Sequence, residues 1–179
     1  MERVKSRLLR ATTALENAGI EYAVAGESAV AAWVGKVDSS AVRFTQDVDL
    51  LIQRSDREAT KTALEPAGFH YRHTSSTDMF LDGPDARDGD AIRVIFATER
   101  VHPKYTLPAP DLSESEASET FRVLSLDALV RMKLTSFRDK DRTHLRDMIG
   151  VGLIDESWLT RLSVDLVMRL RELLDTPDG

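Results

Sequence analysis

The stretch Arg43-Phe-Thr-Gln-Asp47-Val-Asp49-Leu-Leu-Ile52 decides the fold of this 179-residue chain. Its apolar residues alternate as in a strand, which places Asp47 and Asp49 on one face, roughly 6–7 Å apart along it. Carboxylates this close repel each other, and Mg²⁺, which typically takes one or two carboxylates plus substrate phosphates, would relieve the repulsion. Arg43 and Thr45 offer donors for such a phosphate. The alternative is a strand that simply starts in solvent, with Asp47 as a turn residue.

Composition excludes several classes of protein. A hydrophobic share of 42% is enough for a proper core, and the absence of cysteine rules out disulfides, thiolate metal sites and cysteine nucleophiles. The net charge of −6 argues against nucleic-acid binding by bulk electrostatics. The chain begins with charged, helical-looking sequence, and no apolar run approaches the ~18 residues of a membrane span. We therefore expect a cytoplasmic protein without a membrane partner.

Strands and helices alternate along the chain. Strands are predicted at residues 22–25, 47–52, 69–73, 78–81 and 91–97. Helices are predicted at residues 2–18, from the end of a tight turn at 26–28 to about 35, at 55–68 and from 125 onward. Residues 103–119, with three prolines and an acidic stretch, are predicted to form an extended, exposed connection. This order indicates an α/β (α+β) fold, with a core at 1–124 and a C-terminal helical part at 125–179 packed on it.

A turn of small residues joins the first predicted strand to the second predicted helix. Gly26 and Ser28 lie in this turn, before the N-terminus of the helix, where free backbone N–H groups and the helix dipole favour a phosphate. Glu27 lies between them and would repel a triphosphate, so we expect its side chain to point to solvent.

A strand–Gly–Ser–helix unit followed about twenty residues later by Asp-x-Asp resembles the nucleotidyltransferase superfamily. The likeness covers roughly residues 20–155 and implies the polymerase-beta-like fold, a small mixed sheet flanked by helices with a C-terminal helical extension. Three segments in order are similar to its AbiEii-type branch, which includes toxins of abortive-infection and toxin–antitoxin systems: Ala25-Gly-Glu-Ser-Ala-Val-Ala-Ala-Trp33, Arg43 to Ile52, and Leu126-Asp-Ala-Leu-Val-Arg-Met-Lys-Leu134.

The resemblance implies transfer of a nucleoside monophosphate from an NTP to a hydroxyl of RNA, such as tRNA, or of a protein acceptor. It also implies Mg²⁺ or Mn²⁺ as cofactor and a cognate antitoxin as partner. The predicted site residues are Asp47 and Asp49 for the metal, Gly26, Ser28, Arg43, Thr45 and Lys133 for the nucleotide, and Asp47, Asp49, Arg93 and Lys133 for catalysis.

Arg93 departs from the family pattern, which places a third carboxylate at this position of a neighbouring strand. The substitution changes the charge of the cleft from about −3 to about −1, which weakens Mg²⁺ binding. A guanidinium also cannot act as a base. Three interpretations remain open. Arg93 pairs with Asp47 or Asp49 and silences the site, or it contacts phosphate or acceptor RNA in an active enzyme, or the strand register is shifted and Asp90 or Glu99 supplies the carboxylate.

These interpretations separate an enzyme from a catalytically impaired relative that serves as a nucleotide- or partner-binding module. A third hypothesis is an antitoxin-type interaction protein that binds no nucleotide. Arg93 is the feature of the sequence that favours the impaired relative.

Lys133 falls in the middle of the apolar face of the helix predicted from residue 125. A lysine there is costly to bury unless its head reaches a charged partner or a cleft. The resemblance implies contact with the nucleotide's phosphates; the alternative is a lysine that extends to the edge of the core. The charged run at 138–147 is typical of a solvated helix face, with Asp141 and His144 as secondary candidates for the site.

Overall fold

A mixed sheet forms the centre of the computed structural model, which describes residues 2–43, 46–177 and 179. Its strands are β1 (Tyr22–Ala25), β2 (Val48–Ile52), β3 (Phe69–His73), β4 (Asp78–Asp82), β5 (Ala91–Phe96), β6 (Ser115–Ala117) and β7 (Arg122–Leu124). Their order across the sheet is β3-β4-β5-β2-β1-β7-β6. β2 runs parallel to β5 and β1 to β7, and the other neighbours are antiparallel.

The helices occupy the segments in which the hydrophobic spacing predicts helix. They are α1 (Glu2–Asn17), α2 (Gly26–Val37), α3 (Arg57–Leu64), α4 (Leu126–Ser136), α5 (Asp139–Gly150) and α6 (Val164–Asp175). The Ser125 hydroxyl caps α4 by accepting a hydrogen bond from the Ala128 N–H at 3.2 Å. Phe137 ends α4 in the left-handed conformation, with φ +48°, so that α5 begins two residues later.

The main hydrophobic cluster joins both halves of the chain. Buried residues of the sheet such as Val24 and Ile92 share it with Leu129 of α4 and Leu170 of α6. The predicted boundary at 124/125 falls between β7 and α4. In the described part of the chain, no helix is long and apolar enough to cross a membrane.

Strand register places the functional residues side by side. Ala25 at the end of β1 lies opposite Asp49 in β2, and Asp49 lies opposite Arg93 in β5. Gly26, the first residue of α2, therefore follows directly beside Asp49. Three neighbouring strands thus bring the small-residue turn, the carboxylate pair and the arginine to one place.

The connection predicted at residues 103–119 contains a strand that the sequence pattern does not predict. Ser115–Ala117, with Glu116 and Ala117 exposed as expected, is the edge strand β6, paired with β7. β7 in turn pairs in parallel with β1 through Val24 and Val123. Ser, Glu and Ala have little intrinsic preference for strands, so this strand forms because a partner ladder is available.

Candidate active site

Gly26 makes the close approach between α2 and β2 possible. Its φ is +62°, a conformation that residues with a side chain rarely adopt. A Cβ atom at this position would lie 1.9 Å from Oδ2 of Asp49. The Asp49 carboxylate therefore lies directly against the first residue of α2, at the end of the helix whose dipole favours negative charge.

The Arg93 guanidinium bridges the carboxylate pair. Its Nη2 contacts Oδ2 of Asp47, and its Nε lies 3.2 Å from Oδ1 of Asp49. The register alternative is wrong, because Arg93 lies opposite Asp49 in β5. Asp90 instead binds Arg7 at 2.9 Å, and Glu99 binds Arg54 at 2.6 Å. Of the three interpretations of Arg93, the structure shows the direct pairing.

Lys140 adds a second cation that sequence analysis did not find. Its Nζ lies 3.4 Å from Asp47 Oδ2 and 3.4 Å from Glu27 Oε1. The expectation that Glu27 points to solvent is wrong, since only 18% of its side chain is exposed. α5 packs across α2 and brings Lys140 over the turn. Because this lysine belongs to a dense charged run, its spacing alone could not distinguish it from a solvated residue.

A buried cluster lies next to Glu27. Lys133 Nζ lies 3.0 Å from Asp141 Oδ1 and 3.1 Å from His144 Nδ1, and His144 Nε2 lies 3.9 Å from Glu27 Oε1. The Lys133 side chain is only 6% exposed and that of Asp141 is fully buried. Burial and the neighbouring Lys133 ammonium lower the pKa of His144, so the imidazole is neutral at pH 7.

Asp141 holds a particularly stable negative charge. Burial by itself would raise its pKa, but hydrogen bonds and charges from Arg138, Lys133 and Ser136 outweigh burial and hold the pKa far below its usual range. The Arg138 Nε lies 2.8 Å from Asp141 Oδ2. The Asp141 carboxylate is therefore the charged partner that the buried Lys133 ammonium requires.

Linked in this way, the charged groups form one network of alternating sign. Its members are, in order of contact, Asp49, Arg93, Asp47, Lys140, Glu27, His144, Lys133, Asp141 and Arg138. Four carboxylates face four cations, and the formal charge of the network with neutral histidine is zero. Burial raises the pKa of Asp49, while Arg93 and Lys140 overcome burial and lower that of Asp47.

The network does not fit the divalent metal that the resemblance implies. Both carboxylates of the pair already bind Arg93, and Asp47 also binds Lys140. Within residues 2–43, 46–177 and 179, no three histidine or acidic side chains are grouped closely enough to hold a metal ion. Mg²⁺ would have to displace a guanidinium and an ammonium that already balance the charge.

A cavity of about 400 Å³ opens beside the network. It extends along β5 and beneath α4 toward the segment between residues 99 and 109, with Val94, Phe96, Leu107, Leu129 and Met132 among its apolar lining. Its size is that of an ordinary small-molecule site.

Some of the predicted site residues line this cavity and others do not. Gly26, Asp49, Arg93 and Lys133 line it, and Asp47 joins them through Arg93. The Ser28 hydroxyl instead donates to the main-chain carbonyl of Asp47 at 3.1 Å. The structure does not bring Arg43 to the cavity lining; its Nε lies 2.6 Å from Asp147 Oδ2. Thr45 lies outside the described residues. The roles proposed for Ser28 and Arg43 stay predictions.

Comparison of sequences gives no relative, since neither a protein-family model nor a curated protein matches this chain. Comparison of structures gives several. An antigenic nucleotidyltransferase-like protein from Paracoccidioides brasiliensis matches at 20% identity with a TM-score of 0.64, over 99% of this chain and 90% of that one.

Two further solved structures are similar to this chain. ANT(2″)-Ia in complex with adenylyl-2″-tobramycin matches at 14% identity with a TM-score of 0.55, over 98% of this chain and 99% of that one. JHP933 from Helicobacter pylori matches at 17% identity with a TM-score of 0.52, over 99% of this chain and 76% of that one. These likenesses show that the chain has the nucleotidyltransferase fold, as the sequence predicts. The AbiEii-type branch stays a prediction.

Proposed function

We propose that this protein is a catalytically impaired nucleotidyltransferase-fold protein that binds a nucleotide and does not transfer it. One observation carries the proposal: Arg93 bridges Asp47 and Asp49, the two carboxylates that the resemblance assigns to the metal. A guanidinium stays protonated at every physiological pH. It therefore offsets one of the two negative charges of the pair permanently, yet it cannot deprotonate an acceptor hydroxyl.

Charge balance supports the loss of metal binding. In a site of uncompensated carboxylates, a divalent cation relieves repulsion. Here Arg93 and Lys140 already relieve it, and the buried Lys133–Asp141 pair is balanced separately. The resemblance implies that Mg²⁺ or Mn²⁺ is required. With the charge already offset, the protein would bind a nucleotide without either ion.

Shape and chemistry of the cavity support nucleotide binding. Its apolar wall along β5 and α4 suits a base and sugar, while Lys133, Arg138 and Lys140 lie at the end near Gly26. Phosphate oxygens are strong acceptors for such charge-assisted hydrogen bonds. An entering triphosphate would share these cations with Asp141, Glu27 and Asp47, and it would compete with them for Lys140 first, where both contacts are 3.4 Å.

An active transferase is the second candidate, and one observation favours it. The Arg93 side chain is 36% exposed and lines the cavity, so a bound phosphate would be within reach of the guanidinium. In that case Arg93 contacts the nucleotide, and a nucleoside monophosphate passes to a hydroxyl of tRNA or of a protein. A toxin role with a cognate antitoxin would follow from the resemblance to the AbiEii-type branch alone.

Labelling with α-³²P-NTPs tests the proposal. Wild type, Asp49→Asn and Arg93→Asp are each incubated with Mg²⁺, Mn²⁺ or EDTA, and with bulk tRNA or protein extract as acceptor. Filter binding on the same samples measures retention of the nucleotide. We expect wild type to bind an NTP in EDTA and to label no acceptor.

Two outcomes would overturn the proposal. Label that depends on Asp49 in wild type would establish the transferase. Absence of NTP binding in every condition would favour an interaction protein instead. Label from Arg93→Asp alone would show that one charge silences the site.

A further inference from the structure

Opposite the charged network, the cavity ends in a cluster of flat side chains. Arg54, two residues after the end of β2, binds Glu99 through two parallel hydrogen bonds, Nε to Oε1 and Nη2 to Oε2, each 2.6 Å long. The Arg54 guanidinium carbon lies 3.9 Å from the centroid of the Phe96 ring. The guanidinium is therefore fixed in its plane, with one face on an aromatic ring.

The other side of this guanidinium remains accessible. The Arg54 side chain is 52% exposed, and Arg54, Phe96 and Glu99 all line the cavity. An exposed ion pair contributes little to stability, so the fixed geometry is not explained by stability alone. A planar cation on an aromatic ring is a surface on which nucleobases stack.

Two hydrogen bonds and an unusual backbone conformation fix the main chain next to Glu99. Thr98 has φ +63°, a left-handed conformation that is a genuine outlier for a β-branched residue. Hydrogen bonds from Thr98 N–H to the Pro110 carbonyl at 3.2 Å and from Ala109 N–H to the Glu99 carbonyl at 2.7 Å keep the turn in place.

A polar group lies at the same end of the cavity. His73 lines the cavity and its Nδ1 lies 2.8 Å from Asp78 Oδ1, while the Tyr71 hydroxyl donates to the same carboxylate oxygen. Asp78 is only 6% exposed and orients the imidazole. This leaves Nε2 of His73 as an acceptor for a ligand, and an exocyclic amine or a ring N–H of a base matches it.

We propose that this end of the cavity is the nucleobase subsite, with the base stacked on the Arg54 guanidinium and its edge facing His73. The inference rests on the nucleotide binding proposed above and specifies the orientation of the ligand. Gly26, Lys140 and Arg54 all line this cavity, so we expect the phosphates near Gly26 and Lys140 and the base at Arg54.

Titration calorimetry of variants tests the subsite. Arg54→Lys keeps the charge but removes the flat surface, and the matched control is Arg57→Lys, since Arg57 pairs with Glu58 on α3 and does not line the cavity. We expect Arg54→Lys to weaken NTP binding about tenfold, the typical contribution of stacking one base. Binding of inorganic triphosphate should not change, and Arg57→Lys should bind both ligands as wild type does.

Photolabelling locates the base directly. With 8-azido-ATP we expect the label in peptides that contain Arg54, His73 or Phe96, and excess ATP should suppress it. Suppressible label confined to other peptides, or NTP affinity unchanged in Arg54→Lys, overturns the subsite while nucleotide binding stands. Wild type that binds no NTP removes both proposals.

Discussion

Arg93 lies directly opposite Asp49 in the parallel register of β2 and β5, and its guanidinium spans from Asp49 to Asp47. A cation thus occupies the place where two neighbouring carboxylates would otherwise repel each other. The pairing follows from strand register, so it is built into the sheet and does not depend on a mobile loop. Arg93 therefore offsets negative charge of the carboxylate pair without a bound metal ion.

The approach of Asp49 to Gly26 predicts that Gly26→Ala is strongly destabilising. The new Cβ would meet Asp49 Oδ2 at 1.9 Å, and φ is +62°. Strain of roughly 1–3 kcal/mol from the backbone and a similar amount from overpacking should lower the free energy of unfolding by about 2–6 kcal/mol. Urea denaturation of wild type and Gly26→Ala measures this difference in the free energy of unfolding. Gly150→Ala is the control, because nothing lies within 4 Å of a Cβ there; an equal loss in both variants would contradict the packing argument.

The buried pair of Lys133 and Asp141 predicts a pH-dependent stability. The folded-state pKa of Asp141 lies far below the ordinary value of an aspartate, so its contribution is fully present above about pH 4 and is lost as the pH falls further. Asp141→Asn leaves Lys133 without its counter-charge and should cost about 3–5 kcal/mol at pH 7. The difference from wild type should shrink below pH 4.

Urea unfolding of both proteins between pH 3 and pH 7 measures this difference. Asp139→Asn, an exposed change on the same helix, should have little effect. A difference between wild type and Asp141→Asn that is independent of pH would contradict the assigned pKa.

The raised pKa of Tyr22 predicts a loss of stability at alkaline pH. Burial, and then the hydrogen bond to Glu16 at 2.5 Å, raise the pKa of Tyr22 to about 12. Its contribution to stability is therefore fully present below pH 10, and it is lost as the pH rises through about 12. In wild type, absorbance at 295 nm should show a tyrosine that ionises near pH 12, and Tyr22→Phe should lack it. If Tyr22→Phe instead lost a tyrosine that ionises near pH 10, the raised pKa of Tyr22 would be contradicted.

Periodicity predicts most of the fold, because apolar spacing is a local property. The strands around Val24, Leu50 and Ile92 lie where the alternation places them. β6 was missed because Ser115–Ala117 carries no apolar pattern of its own, and its pairing with β7 is a contact that only the folded chain creates.

The site was predictable only where one segment carries it. Gly26, the Asp47–Asp49 pair and the place of Arg93 follow from short motifs and from strand order. Lys140 and the inward direction of Glu27 do not, since both depend on how α5 packs across α2. Such packing brings together residues more than a hundred positions apart, as with Glu27 and Lys140.

Manganese binding in the absence of nucleotide tests the central claim most directly. Electron paramagnetic resonance measures free Mn²⁺ during titration of wild type, Arg93→Asp and Arg87→Asp, the last being an exposed change of the same charge. We predict that Arg93→Asp binds Mn²⁺, that Asp49→Asn in that background abolishes the binding, and that wild type and Arg87→Asp leave the ion free. Wild type that binds Mn²⁺ through Asp49 would contradict the claim that Arg93 replaces the metal.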